Sequence, residues 1–120
     1  VLVAALALSV PAAQYFEGLV THPHIDPRGN ADVCYGDRAA ERREYTPEEC
    51  AVLLVQSQAA KYQPAVLKCV PALAARPHEL AAATDAAYNG GPGAFCKSPM
   101  AAAYRRGEWT KAADAYLTWH

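Results

Sequence analysis

Alanine fills 27 of the 120 positions, and most of it lies beyond residue 50. Alanine is the best helix former and adds little bulk. Such a chain is restricted to helices that approach one another closely around a modest core. β-Branched residues are few after position 70, which removes a large sheet as an alternative there. Seven Tyr and two Trp are expected to supply most of the large packing surface. The length is one domain's worth, enough to bury roughly two thirds of the unfolded surface. With 52% hydrophobic and 19% charged residues the composition is globular, which excludes a disordered tail. The net charge of −1 lacks the clustered basic residues a nucleic-acid partner requires. No fixed period recurs, so a repeat array, a coiled coil and collagen are also excluded.

Local signals divide the chain. Val1 to Phe16 carries no charged side chain but contains Pro11 and Gln14. It is short of the roughly 20 apolar residues of a membrane span and lacks the basic start of a signal peptide. It reads as a core helix, the end of an export or anchor sequence being the alternative. Pro11 is expected to open the helical turn, which Gly18 then stops. Between Leu19 and Asp37 the helical period disappears. Two short strands are expected there, near 21–26 and 31–35, with Pro27-Arg28-Gly29-Asn30 as the turn. The charge run from Asp37 to Glu44 reads as a solvated connection.

Thr46-Pro47-Glu48-Glu49 is a capping-box helix start with proline at the first helical position. This helix is expected to reach Gln63, where Pro64 interrupts. Further helices are expected from Arg76-Pro77 through Tyr88, from Ser98-Pro99 to Gly107, and from about Glu108 to Trp119. The architecture is therefore α+β and predominantly helical.

Cys34, Cys50, Cys69 and Cys96 form no C-x-x-C pair, so a structural zinc site has little support. An even count at wide spacing suits two disulfides in an oxidising compartment, and four buried thiols are the alternative. Three pairings are open.

Two carboxylates carry the chemical signal. Glu17 ends an apolar helix beside Tyr15, Phe16 and Leu19, a partly desolvated setting that favours the protonated acid. Asp26 follows nine residues later in a polar hairpin and is expected to stay ionised. Such a pair divides into a general acid and a base, the division that glycoside hydrolysis uses. From spacing alone, two ordinary surface carboxylates are the better explanation of the pattern.

The wider pattern is more specific. Phe16-Glu17-Gly18, Asp26 and Cys34-Tyr35-Gly36 are followed by Tyr45-Thr46-Pro47-Glu48-Glu49-Cys50 and Lys68-Cys69-Val70-Pro71. Ala87-Tyr88-Asn89-Gly90-Gly91-Pro92-Gly93-Ala94-Phe95-Cys96-Lys97-Ser98 and the stretch from Gly107 to Trp119 complete the series. In this order and spacing the chain resembles the phage-type lysozymes of glycoside hydrolase family 24. These endolysins open bacterial walls with an E-x8-D-x5-T pattern. The resemblance implies a lysozyme-like domain over residues 1–120: an N-terminal helix, a small antiparallel β-hairpin and a helical lobe.

The implied substrate is the peptidoglycan glycan strand, cut at the β-1,4 bond between N-acetylmuramic acid and N-acetylglucosamine. Glu17 would be the general acid, and Asp26 would position or activate water. Tyr35 and Asn89 would contact substrate. No metal or organic cofactor is implied. A monomer exported to the periplasm or exterior is expected, phage-encoded and acting on the host wall. Cys34 with Cys50, and Cys69 with Cys96, are the expected disulfides.

Three departures stand out. The family's Thr falls at Asp32, a residue able to hold water or act as a stronger base, or to repel Asp26. Asp37-Arg38 replaces the frequent His-Thr. The chain ends at Trp119-His120 where relatives usually continue into another helical segment. The alternative function is therefore a catalytically impaired lysozyme-fold protein that binds wall glycan. A weaker option is metal binding by His22, His24 and Asp26, which would share one face of a strand. The glycine run after Tyr88 lacks the Gly-Lys-Ser/Thr ending of a phosphate loop. Trp109 and Trp119 are expected to anchor the last helix.

Overall fold

The computed structural model describes residues 2–25, 31–37 and 40–119, with only the backbone for Phe16, His24, Ala31, Thr118 and Trp119. Helix α1 (Leu2–Glu17) leads into the strands β1 (Val20–Ile25) and β2 (Ala31–Cys34). The helical lobe follows: α2 (Pro47–Ser57), a π-helical turn (Gln58–Tyr62) and α3 (Gln63–Cys69), then a 3₁₀ turn (Pro71–Ala75) and α4 (Pro77–Gly90). It ends with α5 (Pro92–Cys96), α6 (Pro99–Arg105) and α7 (Trp109–Trp119). The α+β architecture expected from sequence is the one observed. The strands pair antiparallel, with His24 opposite Asp32 and an irregularity in register between Val20 and His24.

Helix α1 corrects the expected start at Pro11: it begins at Leu2 and runs through the proline. Ala5, Ser9 and Ala13 are fully buried at four-residue spacing, one face of a helix. That packed stripe holds the helix despite the backbone hydrogen bond a proline removes, and Pro11 lies on the exposed side. Gly18, at φ +72°, closes the helix as its N–H donates to the Gln14 carbonyl at 3.2 Å.

The Thr46 capping box forms in both directions. The expected stop at Pro64 does not occur. The π turn widens the helix ahead of it, and Pro64 then sits in the first turn of α3, where a missing N–H costs nothing. Two long-range bonds hold this turn. The Ser9 hydroxyl donates to Gln58 Oε1, and Gln63 Nε2 donates to the Leu2 carbonyl at 3.1 Å.

The main core lies in the lobe, where Phe95, Leu73, Leu80, Met100, Val66 and Val70 are fully buried around α4. Of the aromatic side chains expected to supply large packing surface, Tyr104 is buried in this core and Tyr62, Trp109 and Tyr116 pack partly buried against it. The polar tips of Tyr62 and Tyr116 keep their rings at the core's edge. Trp109 packs against the core under the Arg76 guanidinium, 3.8 Å from its ring centroid, as a helix anchor should; the Trp119 side chain lies outside the described residues. A second cluster joins Val33, Cys34, Tyr45 and Cys50 beneath the hairpin. Both expected disulfides form, Cys34–Cys50 and Cys69–Cys96. The Arg105 guanidinium clamps the second by donating to the Cys69 and Cys96 carbonyls at 3.0 and 2.7 Å.

Candidate active site

The buried stripe of α1, continued by one turn, ends at Glu17. Its carboxylate therefore faces the lobe at the point where the helix stops. There Asn89 Nδ2 donates to Glu17 Oε1 at 3.1 Å, joining residues 72 positions apart. Asn89 is in the last turn of α4, so the two helix ends meet at one carboxylate.

A cleft of about 660 Å³ opens at this junction. Glu17, Asp32 and Asp37 line it, with Lys61, Tyr62 and Asn89 among its other walls. Asp32 comes from β2, half-buried, so the structure brings two of the three expected catalytic residues to one cleft. Asp26 lies outside the described residues. Asp37, read from sequence as the start of a solvated connection, belongs to the cleft instead. It pairs with Val33 through both backbone groups, at 2.8 and 3.1 Å. Its carboxylate accepts from the Ala40 N–H at 3.0 Å and from the Ser57 hydroxyl at 3.3 Å.

The tight turn between Val33 and Asp37 shapes the wall beside Glu17. Gly36 has φ +78°, and a Cβ added there would lie 3.3 Å from Glu17 Oε2. Only glycine leaves the carboxylate that space. Cys34, the one non-glycine residue with positive φ among the described residues, sits at φ 63°, held by its disulfide. Tyr35 packs into the small core under the hairpin, and its carbonyl accepts a hydrogen bond from the Tyr88 hydroxyl. Burial raises the Tyr88 pKa, which keeps that hydroxyl a donor.

Two of the apolar neighbours expected to shield Glu17, Tyr15 and Leu19, turn elsewhere, and the Phe16 side chain lies outside the described residues. Tyr15 is 84% exposed and Leu19 42% exposed, because adjacent residues at a helix end radiate in different directions. A buried carboxyl does lie nearby, Asp85, four residues before Asn89 and on the same face of α4. Asp85 is 2% exposed, and burial, together with the charge of Glu17, raises its pKa to about 6 against the hydrogen bond from Tyr116. Sequence reading missed this residue. Its signal was an aspartate within a run of buried-type alanines, one turn before Asn89. Among the described residues no group of three or more His, Cys, Asp or Glu is placed to hold a metal. The His24 side chain and Asp26 lie outside that description. No helix among the described residues is long and apolar enough to cross a membrane.

A helical lobe joined to a small hairpin, with an acidic cleft between them, defines a lysozyme-like glycan-cleaving fold. Residues 14–120 match the family described as Phage lysozyme, and the chain belongs to that family. It is a glycoside hydrolase of the lysozyme class, acting on peptidoglycan. Among solved structures it is similar to an endolysin from Escherichia coli O157:H7 phage FAHEc1. The TM-score is 0.73 at 21% identity, over 92% of this chain and 73% of that one. It is also similar to the muramidase domain of SpmX from Asticaccaulis excentricus, with a TM-score of 0.69 at 25% identity, over 92% of this chain and 76% of that one. No curated protein matches the chain.

Proposed function

We propose that the chain is an endolysin that hydrolyses the β-1,4 bond between N-acetylmuramic acid and N-acetylglucosamine, with Glu17 as general acid. The observation that carries this is the Glu17 carboxylate at the end of α1, held by Asn89 and facing a cleft that Asp32 also lines. Glu17 gives its proton to the leaving glycosidic oxygen. Water attacks the anomeric carbon, and Asp26 and Asp32 orient it and take its proton. A carboxylate at Asp32, where the family has Thr, makes that position a stronger base. Asn89 fixes the rotamer of Glu17 and reaches the substrate edge, while Tyr35 contributes through the wall it supports. The protein works beyond the cytoplasmic membrane, a reading its two disulfides favour. It acts as a monomeric domain over residues 1–120, with no cofactor and no nucleic acid.

The test is release of reducing ends from purified peptidoglycan by the parent and by Glu17→Gln. The expected result is new reducing ends at muramic acid, with a loss of about 10²–10⁴-fold in the variant. New ends at N-acetylglucosamine would reject the proposed bond, and an equally active variant would reject Glu17 as the acid. An inert, folded parent that still sediments with peptidoglycan would instead favour a wall-binding protein with an impaired site.

A further inference from the structure

The cleft is lined by three carboxylates and, among the described residues, one cation, Lys61. None of the ion pairs among the described residues includes Lys61. Its ammonium lies 5.1 Å from the centroid of the Tyr62 ring, within cation–π range. Tyr62 is in turn braced edge-on by Tyr88, with centroids 5.0 Å apart.

The backbone explains why both side chains reach the cleft. In the π turn, i→i+5 winding brings residues four and five positions after Ser57 onto one face. Ser57, Lys61 and Tyr62 accordingly line the same cleft. The turn is fastened to α1 near both of its ends, through Ser9 with Gln58 and Leu2 with Gln63. Lys61 is thus a charge on a fixed platform.

A neutral sugar chain has no use for such a cation. Muramic acid, however, carries a peptide stem with free carboxylates. The carboxylates of Asp32 and Asp37 repel that stem from the rest of the cleft, and the ammonium attracts it to the π turn. We propose that Lys61 and Tyr62 form a subsite that recognises a carboxylate of the peptide stem on the glycan strand. The inference rests on the peptidoglycan reading above and extends it to peptide-bearing strands as the preferred substrate.

The test is calorimetric binding of a disaccharide–peptide muropeptide and of the same muropeptide with its stem carboxylates amidated. The parent, Lys61→Gln and Lys61→Arg are compared, with thermal melts to verify folding. The parent is expected to bind the free-carboxylate form about three- to fivefold more tightly, as for an exposed ion pair. That preference should fade at 1 M salt, fall to near unity in Lys61→Gln and persist in Lys61→Arg. Equal binding of the two forms by the parent, no measurable binding of either, or a preference that survives Lys61→Gln overturns the subsite. Reducing-end release by the parent separates the two readings. Cleavage without a carboxylate preference removes only the subsite, whereas absence of cleavage removes the hydrolase reading whatever the binding ratio.

Discussion

The Tyr116 hydroxyl donates to Asp85 Oδ2 at 3.1 Å, tying the last helix to a buried carboxylate one turn behind Asn89. Asp85 holds its proton up to about pH 6, against an ordinary value of 3.8. A carboxyl whose folded pKa is raised stabilises the protein fully below its unfolded pKa and loses that contribution as pH rises through the folded one. Stability attributable to Asp85 should therefore fall between about pH 4 and pH 6, by about 3 kcal/mol in all. Asp85→Asn keeps an acceptor for Tyr116 and removes the charge. Urea midpoints across pH 4–8 should show the variant close to the parent at pH 4 and more stable at pH 8. A parent-to-variant difference that does not change with pH would refute the assignment.

Gly36→Ala should damage activity more than its size suggests. The added Cβ meets Glu17 Oε2 at 3.3 Å, and φ +78° is strained for alanine. The backbone term costs about 1–2 kcal/mol, read as a lower melting temperature. The displaced carboxylate should lower kcat about tenfold or more, since small misplacements of reacting groups are costly. A variant that is destabilised but fully active would show that Glu17 adapts.

The two disulfides should separate in their effects. The chain-entropy account assigns about 3 kcal/mol to the 16-residue separation of Cys34–Cys50 and about half a kcal/mol more to the 27-residue separation of Cys69–Cys96. Paired alanine replacements should reproduce that order in chemical denaturation. Activity should fall more when Cys34–Cys50 is removed, because Cys34 begins the turn that carries Gly36 beside Glu17. Equal activity in the two double variants would contradict this placement.

What sequence reading recovered was local chemistry. The Thr46 and Ser98 caps, the glycine stop after Glu17 and the hairpin depend on neighbours a few residues away. The π turn escaped because partners 49 and 61 residues distant hold it. Asp85 escaped for the same kind of reason: its desolvation exists only once α1, α4 and α7 surround it. Glu17 and Asp32 were legible through their place in a family pattern, whereas the Asn89 clamp on Glu17 required the fold. Asp37 looked like part of a solvated charge run because its pairing with Val33 is invisible without the turn.

The alanines have a consequence beyond helix formation. Ala5 and Ala13 on α1 and Ala83, Ala86 and Ala87 on α4 are all buried, and α1 and α4 make the most extensive contact between any two elements of the fold. The span from Glu17 to Asn89 is thus set by methyl groups along the two helices that carry them. The core is a caliper for the active site. Any lineage that enlarged one of those methyls would reset the gap at the carboxylate without touching a residue that meets the substrate.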